Sequence, residues 1–187
     1  MRIIAGELKG QIISSPKGHK THPMSERMRG ALFNTLGDIS GLKILDAYAG
    51  SGALGIESLS RGASSVLFID SDKNATVTIE NNLAKLNIVG SKVTKANIAS
   101  WSDHNYETTF DIVLADPPYN QLNANHFIKL ARNVKKNGLL VLSLPKTHPI
   151  VIIENFIELA SKNFADGSIR IYQRMHYKLV KAKIKPV

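Results

Sequence analysis

The sequence predicts a doubly wound α/β fold, a mostly parallel sheet with helices on both faces, and three observations carry that expectation. Apolar runs of strand length alternate with helix-period segments from residue 43 onward. Those strands are apolar without strict alternation, as expected where crossover helices cover both faces of a parallel sheet. A turn of small residues follows the first of them, where a strand would hand over to a helix.

The chain opens with a short strand or hairpin expected over residues 2–15, then a loop containing Pro, Gly and His over residues 16–23. A helix comes next. Ser25 suits its N-cap, Met28, Ala31, Leu32 and Thr35 or Leu36 share one side, and Gly37 suits its stop. Residues 1–40 read as an appendage and residues 41–187 as a single compact unit. Core strands are expected at 44–45, 66–69, 92–96, 112–115 and 139–144. Between them, Ala75, Ile79, Leu83 and Leu86 make one helical stripe, with Asp72 suited to cap it. Phe127, Leu130, Ala131 and Val134 make another. After Pro149, the spacing of Ile152, Ile153, Phe156, Ile157 and Ala160 predicts a further helix. Residues 168–173 and 178–184 then predict a terminal antiparallel hairpin.

With 187 residues, 43% of them apolar and 21% charged, the chain suits one globular domain with a full core. No apolar run approaches the roughly 20 residues of a membrane helix. The opening meets Gly6 and Glu7 before a signal peptide's apolar core is built, so a cytoplasmic protein is expected. Zero cysteines exclude disulfides and thiolate ligands, and six scattered histidines lack ligand spacing, so no metal is expected. The net charge of +9 is uneven: residues 1–40 carry six Lys/Arg against three acids, 41–160 eleven against eleven, and 161–187 seven against one. Basic ends on a neutral middle suit a polyanion such as nucleic acid, although a merely solvated basic surface has the same composition.

Two motifs carry chemistry. Asp46-Ala47-Tyr48-Ala49-Gly50-Ser51-Gly52-Ala53-Leu54-Gly55 places small residues at a strand-to-helix turn, where backbone amides can approach a nucleotide-like cofactor. Gly50 to Gly55 also satisfies G-x-G-x-x-G, with Asp70 where a dinucleotide site wants an acid, so an NAD-dependent oxidoreductase stays open. A turn without a ligand stays open too. The second motif, Asp116-Pro117-Pro118-Tyr119, follows the strand at 112–115. Two prolines lack N–H donors and stiffen the backbone, so the loop offers rigid carbonyl acceptors to an amino group. Asp116 can accept a further hydrogen, and Tyr119 can stack on a base.

In this order the motifs resemble the class I amino-methyltransferases. Together with Arg2-Ile3-Ile4-Ala5-Gly6 and Pro23-Met24-Ser25-Glu26-Arg27-Met28-Arg29-Gly30-Ala31-Leu32-Phe33-Asn34, they resemble, over residues 1–145, the bacterial family that methylates guanine N2 in 16S ribosomal RNA. The resemblance implies a Rossmann-like class I methyltransferase with a seven-stranded sheet and S-adenosyl-L-methionine as cofactor. It implies Gly50, Ser51 and Gly52 against the methionine part, with Ala49 beside them and Asp46 near its amino end. Asp70, followed by Ser71, would bind the ribose hydroxyls, and Asn97 and Ile98 the adenine. Asp116 would begin the catalytic loop with Pro117, Pro118 and Tyr119, orienting the amino nitrogen more than acting as a strong base. Asn97 also suits a simple turn.

Reaching a base in folded RNA requires unstacking it, for which Tyr119 is the aromatic partner. Arg2, Lys9, Arg27 and Arg29 are the expected phosphate contacts, with Lys146 and the lysines of residues 178–185 behind them. The expected partner is 16S ribosomal RNA, in the small subunit or an assembly intermediate, with the protein acting as a monomer. Adenine N6 in DNA or RNA, a glutamine amide and a noncatalytic RNA-binding module remain alternatives.

Overall fold

A computed structural model describes residues 1–16 and 24–175. Its first half runs α1 (Glu26–Leu36), β1 (Lys43–Ala47), α2 (Ala53–Ser60), β2 (Ser65–Asp70), α3 (Lys73–Lys85), β3 (Lys92–Lys95) and α4 (Ile98–His104). The second half runs β4 (Phe110–Ala115), a short 3₁₀ turn (Tyr119–Gln121), α5 (Ala124–Ala131), β5 (Val134–Leu144), β6 (Phe156–Asn163) and β7 (Ser168–Arg174). One sheet of seven strands results, in the order β3-β2-β1-β4-β5-β7-β6. The five strands from β3 to β5 are parallel, whereas β7 is antiparallel to both β5 and β6.

Alternation along each strand divides the core. Ile44, Phe68, Ile112 and Val141 face one side, where they meet Met28, Phe33, Ile56 and Ile79 of α1, α2 and α3. Leu45, Ile69, Val113 and Leu142 face the other, under Ile98, Phe127 and Leu130 of α4 and α5. Burying each such side chain contributes roughly 1.5–3 kcal/mol. Because the chain passes from β1 outward to β3 and then returns to β4 on the other side of β1, the strand order reverses between β1 and β4. Open α/β sheets have a crevice at the carboxyl ends of two such strands.

Ser25 and Gly37 cap α1 as expected: the Ser25 hydroxyl accepts the Met28 N–H, and the Gly37 N–H donates to the Phe33 carbonyl. Residues 1–16 make a single antiparallel bridge, Arg2 to Ile12, in place of an extended hairpin. Ile3 and Ile13 are buried in the same cluster as Ile44. The Ile4 and Ala5 N–H groups donate to the Glu57 carboxylate at 2.8 and 3.1 Å, which fastens this segment to α2.

Three expectations are corrected. Val134 begins β5 instead of ending a helix. The stretch containing Phe156, Ile157 and Ala160 is strand β6, not a helix. Its irregularity explains the misleading spacing: a register shift between Glu158 and Ala160 sets Ile157 opposite Gln173 and Ala160 opposite Ile171, so two residues three apart share one face. Finally, the antiparallel hairpin is β6 with β7, closed by a turn in which the Phe164 N–H donates to the Gly167 carbonyl at 2.8 Å. The expected strand at 178–184 lies outside the described residues, as does most of the expected loop over 16–23.

Candidate active site

The carboxyl end of β1 turns through Tyr48, Ala49, Gly50, Ser51 and Gly52 into α2. Gly52 takes the left-handed conformation at φ 79° that starts the helix. Two aspartates hold the turn. Asp46 accepts the Gly55 N–H at 2.8 Å, and Asp70, ending β2, accepts the N–H groups of Gly50 and Asp72 at 2.8 and 2.9 Å. From α3, the buried Asn82 amide donates to the carbonyls of Ser51 and Ser14 at 3.0 Å each, joining the N-terminal segment to the turn. Asn97 caps α4, its side-chain oxygen accepting the Ala99 and Ser100 N–H groups.

After β4 the chain enters Asp116-Pro117-Pro118-Tyr119. This loop and the glycine turn open onto the same cavity, of about 900 Å³. Asp46, Ala49, Gly50, Ser51, Asp70, Ser71, Asn97, Ile98, Asp116, Pro117, Pro118 and Tyr119 all line it. Gly52 does not; it serves the helix start behind the wall. Tyr119 is 39% exposed, and its hydroxyl lies 3.2 Å from that of Ser143 on β5. The β6–β7 turn, later in the chain, reaches the same ring: a Cβ on Gly167 would lie 2.1 Å from the Tyr119 hydroxyl oxygen, so glycine lets the ring keep its place.

The cavity wall is acidic. Burial pushes the Asp46 carboxyl well above the usual carboxylate range, against the Gly55 N–H, and the charges of Asp116 and Asp70 push the same way. Burial also raises Asp116, with Asp166 adding to it, whereas the Ser143 hydroxyl and the Met24 amide hold it lower. Tyr48, with its hydroxyl 3.0 Å from His126 Nδ1, is pushed up to about 12 by burial and so stays neutral.

The expected phosphate contacts separate. Lys9 and Arg27 are exposed. Arg2 is exposed and ion-paired with Glu26 at 3.0 Å. Arg29 is different, and its expected surface role is corrected: it is 1% exposed, donates to the Arg2 carbonyl at 2.5 Å, and lies 3.6 Å from the Glu57 carboxylate. A guanidinium so enclosed holds the N-terminal segment on α2 and presents no surface to a phosphate. Sequence reasoning also passed over Tyr48, Asn82, His126, Ser143 and Asp166. Ser143 carried a signal, a lone polar residue in the apolar run 139–144, and Tyr48 stands inside the glycine-turn motif; the others have none without the fold.

Among the described residues, no group of three or more His, Asp or Glu side chains is placed to hold a metal ion. None of the described helices is long and apolar enough to cross a membrane.

Residues 1–173 match the family model described as conserved hypothetical protein 95. The ribosomal RNA small subunit methyltransferase D of Haemophilus influenzae is 32% identical over 180 residues, covering 92% of this chain and 93% of its own. Its counterpart of the same name in Buchnera aphidicola is 32% identical over 158 residues, covering 82% of this chain and 83% of its own. A solved structure of a candidate methyltransferase from Escherichia coli superposes with a TM-score of 0.84 at 30% identity, covering 94% of this chain and 98% of that one.

Proposed function

The chain belongs to the conserved hypothetical protein 95 family, and from that premise we propose that this S-adenosyl-L-methionine-dependent methyltransferase modifies the exocyclic N2 amino group of a guanine in 16S ribosomal RNA. The observation that carries the proposal is the opening of the glycine turn and the Asp-Pro-Pro-Tyr loop onto one cavity. Its acceptor is RNA of the small subunit or of an assembly intermediate, met in the cytoplasm by a monomer.

The cavity suits S-adenosylmethionine. That molecule carries positive charge on its sulfonium sulfur and its ammonium group, and the wall offers the carboxyls of Asp46, Asp70 and Asp116. Ile98 and Pro118 add apolar surface for an adenine, and the volume is ample for a cofactor with a nucleobase beside it. When bound, S-adenosylmethionine supplies an electrophilic methyl group.

The protein's own task is then placement. Gly50, Ser51 and Asp46 hold the methionine end, Asp70 takes the ribose hydroxyls, and Asn97 and Ile98 flank the adenine. Asp116 and the Pro117 carbonyl accept the two N2 hydrogens, which draws the planar nitrogen toward a pyramid and aims its lone pair at the glycine side. As nitrogen would take the methyl carbon, the carbon–sulfur bond would break with its electron pair left on S-adenosylhomocysteine, and nitrogen would shed a proton, for which the Asp116 carboxylate, raised by burial, is the acceptor at hand. Tyr119 stacks on the extruded base. Arg27 meets phosphates near the cavity, and Lys9, in the turn bonded to Ser60 at the far end of α2, meets them farther along the RNA.

Incubation with labelled donor and, separately, small ribosomal subunits, naked ribosomal RNA and DNA, followed by digestion to nucleosides, tests the assignment. N2-methylguanosine from a small-subunit substrate is expected. Label found only in N6-methyladenosine, or only in DNA, would contradict it.

A further inference from the structure

Asp166 stands in the β6–β7 turn and lines the cavity with Asp116, Pro117, Tyr119 and Ser143. Its neighbour Gly167 is packed so closely on the Tyr119 hydroxyl and the Leu144 carbonyl that the turn has a defined place beside the ring. The remaining acids on the wall are engaged by backbone N–H groups or hydroxyls. No hydrogen bond or ion pair engages the Asp166 carboxylate among the described residues. It is also the one acid among residues 161–187, against seven Lys/Arg. A lone negative charge at the mouth of an RNA site weakens phosphate attraction, so its place there calls for a different ligand atom.

We propose that Asp166 selects the target base by accepting the N1–H of a guanine whose N2 is seated at Asp116, an inference that rests on the guanine-N2 assignment above. Guanine presents two adjacent donors on this edge, N1–H and N2–H. Adenine presents its N6 hydrogens beside an N1 lone pair. A carboxylate is an acceptor only: it bonds the first arrangement and repels the second. With Asp116 on the amino group and Asp166 on the ring nitrogen, the cavity reads the Watson–Crick edge of an extruded base from two separate turns. Burial raises both Asp116 and Tyr119, and the charge of Asp166 adds a smaller push in the same direction.

The test uses 2-aminopurine, which keeps the amino group of guanine but has a lone pair at N1. Small subunits are reconstituted with guanine or 2-aminopurine at the position that the unmodified subunit labels. The native protein should transfer to guanine at least about tenfold faster, since with 2-aminopurine the Asp166 carboxylate faces a lone pair in place of a donor. Asp166→Asn supplies an amide donor for the lone pair, so the preference should shrink to within about threefold or invert. Its calorimetric affinity for S-adenosylhomocysteine should stay within about twofold, which shows the fold intact. A native preference below twofold, or an unchanged preference in Asp166→Asn, overturns the role of Asp166 while leaving the guanine-N2 assignment standing. Absence of N2-methylated product from either subunit with the native protein sinks that assignment, and this inference with it.

Discussion

The turn after β1 and the turn between β6 and β7 deliver side chains to the same cavity by different means. At the first, strand, turn and helix are contiguous, and Asp46 bonds the Gly55 amide across nine positions of chain. At the second, Asp166 and Gly167 meet Tyr119 only because β7 pairs with β5 and brings its start alongside Leu144. In the proposed assignment, the cofactor half of the site is thus built by local chain geometry, and the half that faces the acceptor by assembly of the whole sheet. Substitutions should separate the two: changes at the glycine turn should alter folding and donor binding, and changes at the hairpin turn should alter transfer.

The largest separation is expected from two glycines. A Cβ on Gly55 would lie 2.2 Å from the ring of Phe68, which is fully buried. Gly55→Ala should therefore destabilise the fold by about 2 kcal/mol, seen as a drop of roughly 4–8 °C in thermal midpoint. Asp46→Asn should lower affinity for S-adenosylhomocysteine at least about tenfold by calorimetry, through loss of a charge-assisted contact. The same change should raise the thermal midpoint of the free protein at neutral pH. The sign follows from burial: Asp46 titrates higher in the fold than its unfolded value of about 3.9, so its favourable contribution is complete below that pH and is lost as pH rises through the raised value. The gain from Asn should accordingly grow from pH 4 toward neutrality, within about that window.

Gly167→Ala is the counterpart. Its Cβ meets the far end of a half-exposed tyrosine, which can swing away, so the thermal midpoint should move by less than about 2 °C while transfer falls about tenfold. The smallest effect belongs to the rim. Arg27→Glu should weaken retention of ribosomal RNA several-fold at low salt and lose its effect at high salt, with donor affinity unchanged.

What could be read from the sequence follows the same division. The glycine turn and the Asp-Pro-Pro-Tyr loop are contiguous, and their residue types declare their geometry. Asp166 becomes a site residue only when β7 lies beside β5, which no local pattern announces, and Ser143 only when β5 pairs with β4, its lone hydroxyl in an apolar run being the one local hint. In β6, the register shift at Glu158 to Ala160 gave a strand the spacing of a helix. Arg27 and Arg29 illustrate a third limit. Two positions apart on α1, they point about 200° away from each other. One faces solvent and the other Glu57, although as charges in a list they are equivalent.

Asp116→Ala probes the encounter between the two loops most directly. Transfer to small subunits should fall at least about a hundredfold while S-adenosylhomocysteine affinity changes by less than about threefold, because the acceptor's nitrogen is left unplaced beside an intact cofactor site. Transfer at a near-native rate would show that the amino group is not oriented at Asp116, and the account of one cavity joining donor and base would fail.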